Sequence, residues 1–201
     1  MIVDNDKSSV DCSFRATTGV FHWHQGVGSG FANFKDTYPD GENPFKTGTF
    51  IQANTVDNED NPSTAEWTYS VPETGSYAVY ISYKTLPNSC SEAIYTVYHA
   101  GGETNFGVNQ TMGGGTWIYL GNFVFAKNDP QHSKVVLTNR STDINKLVTA
   151  DAVKIRSLKY ALKVKRKKGE KDTEQKPLPP FSISTTTAPA VCHDLPKEPD
   201  T

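Results

Sequence analysis

The sequence predicts an all-β fold, an antiparallel β-sandwich of the jelly-roll kind, followed by a C-terminal tail. Three observations carry this. Within residues 1–155 no segment shows a convincing 3.6-residue apolar period. Apolar residues instead alternate with polar ones in short runs at near-regular spacing. Glycine- and proline-containing turns separate those runs, with no helical segment between them.

The elements follow in order. The opening IVDNDKSSVDCSF reads as an entry strand. Residues 19–64 are rich in Gly, Asn, Asp and Pro, with scattered aromatics (Phe21, Trp23, Phe31, Phe34, Tyr38, Phe45 and Phe50), and read as long loops of the kind that carry function. In STAEWTYSV, Ala65, Trp67, Tyr69 and Val71 share one face of a half-buried strand. PETG is a turn, after which Tyr77, Val79, Ile81 and Tyr83 share a face. AIYTVYHA sets Tyr95 and Val97 against Ile94, Thr96 and Tyr98, and the following GG predicts a hairpin into TNFGVNQ. The glycines 113–115 break the chain before TWIYLGNFVFA, within which Gly121 predicts a bulge or a close backbone approach. KVVLTNR gives another strand and TADAVKI a last, single one.

Charge divides the chain in the same place. Residues 1–155 hold 10 basic and 16 acidic residues, a net of −6, and residues 156–201 hold 10 basic and 6 acidic, a net of +4. An acidic body is not a nucleic-acid footprint. Beyond Ile155 the run RSLKYALKVKRKKGEKDTEQK and a Pro/Ser/Thr-rich stretch predict a disordered, solvated tail over 156–201. No run approaches the ~20 apolar residues of a membrane span, and MIVDNDKSSVDC lacks the pattern of a signal peptide. The three cysteines, Cys12, Cys90 and Cys192, fit no zinc spacing. Cys12 and Cys90 are either a disulfide of an exported chain or two separate buried thiols.

AEWTYSVPETGSYAVYISY, YTVYHAGGETNFGVNQTMGGGTWIYLGNFVF, VVLTNRS and VTADAVKI, in that order, resemble the golvesin C-terminal domain, a module also found in bacterial xanthan lyase-like proteins. The resemblance covers residues 2–155. It implies a sandwich of the galactose-binding type, a carbohydrate-binding-like role, and an exported protein with neighbouring catalytic modules. Modules of that type often carry a structural calcium. Asp4, Asn5 and Asp6 with Asp151 would supply oxygens for one if the first and last strands meet.

The residues offer a binding surface more readily than a catalytic site. Trp23 with Tyr38 would form a stacking platform for a sugar, with His22, His24 or Gln25 bonding its hydroxyls. The competing role for Trp23 is to pin its loop to the body. His22 and His24 make half a metal site without a third ligand fixed by spacing. His99 before AGG is either a ligand contact or a turn histidine bonding the local backbone. Trp67 and Trp117 are expected in the core, and DNEDN at 57–61 is expected to be a solvated turn. No G-x-S-x-G, P-loop or dinucleotide fingerprint occurs, and nothing brings Glu66 and Glu92 together. The expected function is a non-catalytic carbohydrate-binding module of an extracellular, periplasmic or surface protein, with polysaccharide or cell-wall glycan as partner. The alternatives are part of a xanthan lyase-like enzyme whose catalytic domain lies elsewhere, or a structural sandwich that contacts other proteins.

Overall fold

The computed structural model describes residues 1–6, 11–31, 42–57 and 61–158. Arg156 and Ser157, expected to open the tail, instead end the last strand; the rest of the tail from residue 159, together with Tyr38, Phe34 and Cys192, lies outside the described residues.

Among the described residues the regular structure is β apart from two single 3-10 turns, and every paired strand is antiparallel. One sheet has four strands, in the order β1 (Ile2–Asp4), β12 (Ala152–Ser157), β6 (Gly75–Ile81) and β9 (Ile118–Phe125). A second has five: β2 (Cys12–Thr17), β5 (Thr64–Tyr69), β10 (Lys134–Thr138), β7 (Ala93–His99) and β8 (Gly102–Val108). A three-stranded sheet joins β11 (Leu147–Ala150), β4 (Ile51–Asn54) and β3 (His24–Gln25).

The alternation read from sequence is the alternation observed. Ala65, Trp67 and Tyr69 are buried on β5, as are Tyr77, Val79 and Ile81 on β6 and Tyr95 and Val97 on β7. These side chains meet in one core with Val135, Leu137, Val153 and Ile155. Burying so many large apolar groups is the main stabilising term, since a fully buried aliphatic or aromatic side chain contributes roughly 1.5–3 kcal/mol. Trp67 stacks with Tyr95 at 6.5 Å between ring centroids. Its indole N–H donates to the backbone oxygen of Asp151 at 3.2 Å, so the polar end of the ring is satisfied as well.

Three local readings change. TADAVKI is two strands, not one: β11 belongs to the three-stranded sheet and β12 to the four-stranded sheet, with Asp151 at the joint between them. The stretch 19–64 is not wholly loop, because β4 pairs with β11 and β3 pairs with β4. Those pairings join residues far apart in the chain and leave no local pattern. Trp117, expected in the core, stays half-buried outside it and packs on Phe31 and Phe45 at 5.0 and 5.6 Å.

The glycines before it explain part of that path. Gly113 and Gly115 have φ of 74° and 73°, values that favour glycine. A Cβ on Gly114 would lie 2.3 Å from the backbone nitrogen of Thr85, so this segment runs directly against another. Gly121 does mark a bulge. Val79 pairs with Gly121 and Tyr80 with Tyr119, which leaves Leu120 as the extra residue of β9. Cys12 and Cys90 are separate, buried thiols, not a disulfide. The first and last strands meet as expected, with Asp4 opposite Ala152.

Candidate functional site

The described residues expected to bind a ligand are divided between sheets, with His24 on the three-stranded and His99 on the five-stranded one. His24 starts the two-residue strand β3, where pairing with β4 sets its imidazole beside Gln52. Its Nδ1 lies 3.3 Å from the backbone oxygen of His22 and its Nε2 lies 3.1 Å from Gln52 Nε2. The carbonyl can only accept and the amide nitrogen can only donate, so the proton sits on Nδ1 and Nε2 accepts. Both His22 and His24 are exposed. Trp23 between them turns the other way: it is half-buried and packs against the core. Its indole nitrogen is buried without a hydrogen-bond partner. Trp23 therefore pins this loop to the body, and an outward stacking platform is not its observed position.

His99 ends β7 at the predicted hairpin. Its Nδ1 accepts from the Gly101 N–H at 3.2 Å, so Nε2 carries the proton and donates to Thr104 Oγ1 at 3.0 Å. The ring rests on Phe123 at 5.1 Å. Both nitrogens serve the turn, which is the local role weighed above.

The acidic residues do come together. Asp4 and Asp151 are both buried, at 0% and 1% exposure. Burial pushes the Asp151 carboxyl up to about 7; the Phe31 N–H and the Ser82 hydroxyl oppose that rise, and the nearby Asp4 and Asp6 charges add to it. The Asp151 carboxylate accepts from the Phe31 N–H at 3.1 and 3.2 Å and from Ser82 Oγ at 3.2 Å. Asp6 turns to Thr49, taking its N–H at 2.9 Å and its hydroxyl. Asp4 accepts from the Asp6 N–H at 3.3 Å. Among the described residues no group of three or more His, Cys, Asp or Glu side chains is arranged to hold a metal ion. The Asp6 and Asp151 carboxylates accept from protein donors, whereas Asn5 Oδ1 is buried without a hydrogen-bond partner. These residues tie the start of the chain, the Phe31 loop and the end of β6 to the β11–β12 joint.

Sequence reasoning passed over one surface. Lys154, on the outer face of β12, lies 4.6 Å from the ring centroid of Tyr80 and 4.4 Å from that of Trp117. Tyr80 in turn packs on Tyr119 at 5.3 Å, and Tyr119 is 52% exposed. The Gly121 bulge was legible in the sequence, but the surface itself depends on cross-strand register.

Glu66 is paired with Lys134 at 2.9 Å, and Glu92 bonds Thr142. The two acids considered as a catalytic pair thus have other partners.

The family model for the golvesin C-terminal domain matches residues 41–157, more than half of the chain. The chain belongs to the golvesin C-terminal domain family. The match begins well after residue 2, where the likeness was expected to start, and ends with β12. Among solved structures, this golvesin C-terminal domain is similar to a xanthan lyase from Paenibacillus. The TM-score is 0.52 at 24% identity, over 78% of this chain and 13% of that one. This likeness concerns the fold, and the chain corresponds to a small part of that lyase. No curated protein matches the chain.

Proposed function

We propose that this domain is a non-catalytic, glycan-binding accessory module of an exported protein that acts on polysaccharide or cell wall. The observation that supports this most is the coincidence of family and neighbour. A golvesin C-terminal domain over 41–157 shares its fold with a 13% portion of a polysaccharide lyase. A lyase base and charge-neutralising group need a cleft in which ionisable groups converge. Among the described residues His99 serves a turn, Glu66 and Lys134 a strand pair, and Asp151 the β11–β12 joint. Chemistry on the polymer then belongs to a partner domain, and this domain's part is to hold the polymer nearby, where tethering raises effective concentration.

The test is depletion of the purified chain from solution by insoluble or gel-embedded polysaccharides and peptidoglycan, alongside an assay for unsaturated products on xanthan. Binding to at least one glycan without product formation is the expected result. Product formation by this chain, or no retention on any glycan, overturns the proposal.

A further inference from the structure

We infer that the outer face of the four-stranded sheet, built on Tyr80, Tyr119, Lys154 and Arg156, is a binding site for a carboxylate-bearing saccharide. This rests on the glycan-binding reading above and adds to it a location and a ligand class.

The register of the strands assembles the site. Ile2 is paired with Lys154, Lys154 with Tyr80 and Tyr80 with Tyr119, so one residue from each of the four strands lies abreast in a single row. In the next row on the same face, Arg156 is paired with Ala78 and Ala78 with Asn122. The first row offers two phenol rings, the second a guanidinium and an amide on either side of the buried Ala78. Arg156, Asn122 and Tyr119 are all exposed. A depression of about 560 Å3 opens alongside, bordered in part by Tyr80, Lys154 and Arg156. Met1 and Ile2 also line it and Tyr119 and Asn122 do not, so it adjoins the row on the β1 side.

The bulge is what makes the row. Tyr119 and Asn122 are three residues apart, and in a regular strand an odd separation puts two side chains on opposite faces. The extra residue, Leu120, turns inward against the core, and the period resets so that both Tyr119 and Asn122 face out. A bulge that re-aims a side chain is a recurring device beside functional surfaces.

Charge selects the ligand. Among the described residues neither Lys154 nor Arg156 has a carboxylate within ion-pair distance, although the body carries a net charge of −6. Burial holds the Lys154 ammonium below its ordinary range, and Arg156 beside it adds to that lowering. Two neighbouring cations that pair with no carboxylate among the described residues favour an anion. Two cations are too few for the phosphate row of a nucleic acid. Aromatic rings flanked by a forked donor and an amide match a sugar ring that carries a carboxylate: C–H groups stack on Tyr119, and the carboxylate is taken by Arg156.

The test is affinity electrophoresis of the full chain in gels containing alginate, polygalacturonate or xanthan, against dextran and galactomannan as neutral polymers. Retardation by a carboxylated polymer is expected, and about 0.5 M salt should relieve it because exposed charges are screened at that ionic strength. The double variant Lys154→Met/Arg156→Gln should weaken it about tenfold, as expected for two solvent-facing charge contacts. Tyr119→Ala should weaken it about fivefold through lost stacking. Unchanged circular dichroism and melting temperature would show that the variants fold. Retardation by carboxylated polymers that the folded variants keep in full overturns the site. Retardation by neutral polymers alone overturns the ligand class and leaves the glycan-binding reading standing. Retention by none overturns both. Concentration-dependent self-association abolished by Tyr119→Ala gives the face to a second copy of the chain and overturns the inference.

Discussion

Trp67 and Trp117 stand in sequence contexts that look alike, yet one is at the centre of the molecule and the other outside its core. Trp67 is fully buried on β5 and bonds the Asp151 backbone. Trp117 lies just ahead of β9, half-buried, with Lys154 over its ring. The strand around Trp67 keeps strict alternation from Thr64 to Tyr69, so an odd-numbered residue there faces in. The segment around Trp117 follows two left-handed glycines and precedes a bulge, and each of these resets which side is which. Uninterrupted alternation is therefore a reliable guide to the inside, and a glycine-broken strand is where outward aromatic residues arise.

The comparison can be broken by mutation, beginning where the effect is largest. Trp67→Ala should cost about 4 kcal/mol, through the cavity and the lost indole hydrogen bond to the Asp151 carbonyl, which keeps only the Asn5 N–H at 3.3 Å, measured by guanidinium unfolding. A loss below ~1 kcal/mol would mean that this ring is not the centre of the core.

The joint that Trp67 bonds should respond to pH. The folded Asp151 carboxyl, at about 7, stands above its unfolded value, so folding takes up a proton. Its contribution is whole below the unfolded pKa of about 4 and is lost as pH rises through about 7. Melting temperature should fall between pH 5 and pH 8, by a stability change on the order of 3 kcal/mol. Asp151→Asn should flatten that slope, and an unaltered slope in the variant would sink the assignment.

Gly114→Ala should cost about 2 kcal/mol, because the new methyl meets the Thr85 backbone. Trp117→Ala should cost the least, about 1 kcal/mol, since the ring is only half-buried. A Trp117 effect equal to that of Trp67 would erase the contrast between the two regions.

Much of the fold was legible because its signals are local. Alternation identified the buried faces of β5, β6 and β7, and the glycines after His99 identified the β7–β8 hairpin. What stayed hidden depends on distant partners. The separation of β11 from β12 follows from Asp151 anchoring Phe31 and Ser82, residues 120 and 69 positions away. Trp23 sits between two exposed histidines in a polar loop, and only the packed body shows that its ring turns inward. The row of Lys154, Tyr80 and Tyr119 needed cross-strand register, which no single stretch of sequence contains.

The antiparallel pairing of β1 with β12 has a consequence for architecture. The Met1 amino group donates to the Ile155 carbonyl at 3.0 Å, so the polypeptide enters and leaves the sandwich side by side. A unit with adjoining gates can be spliced into a surface loop of a host protein without stretching the host apart. It can equally be re-cut, with its gates sealed together and new ones opened at an exposed hairpin.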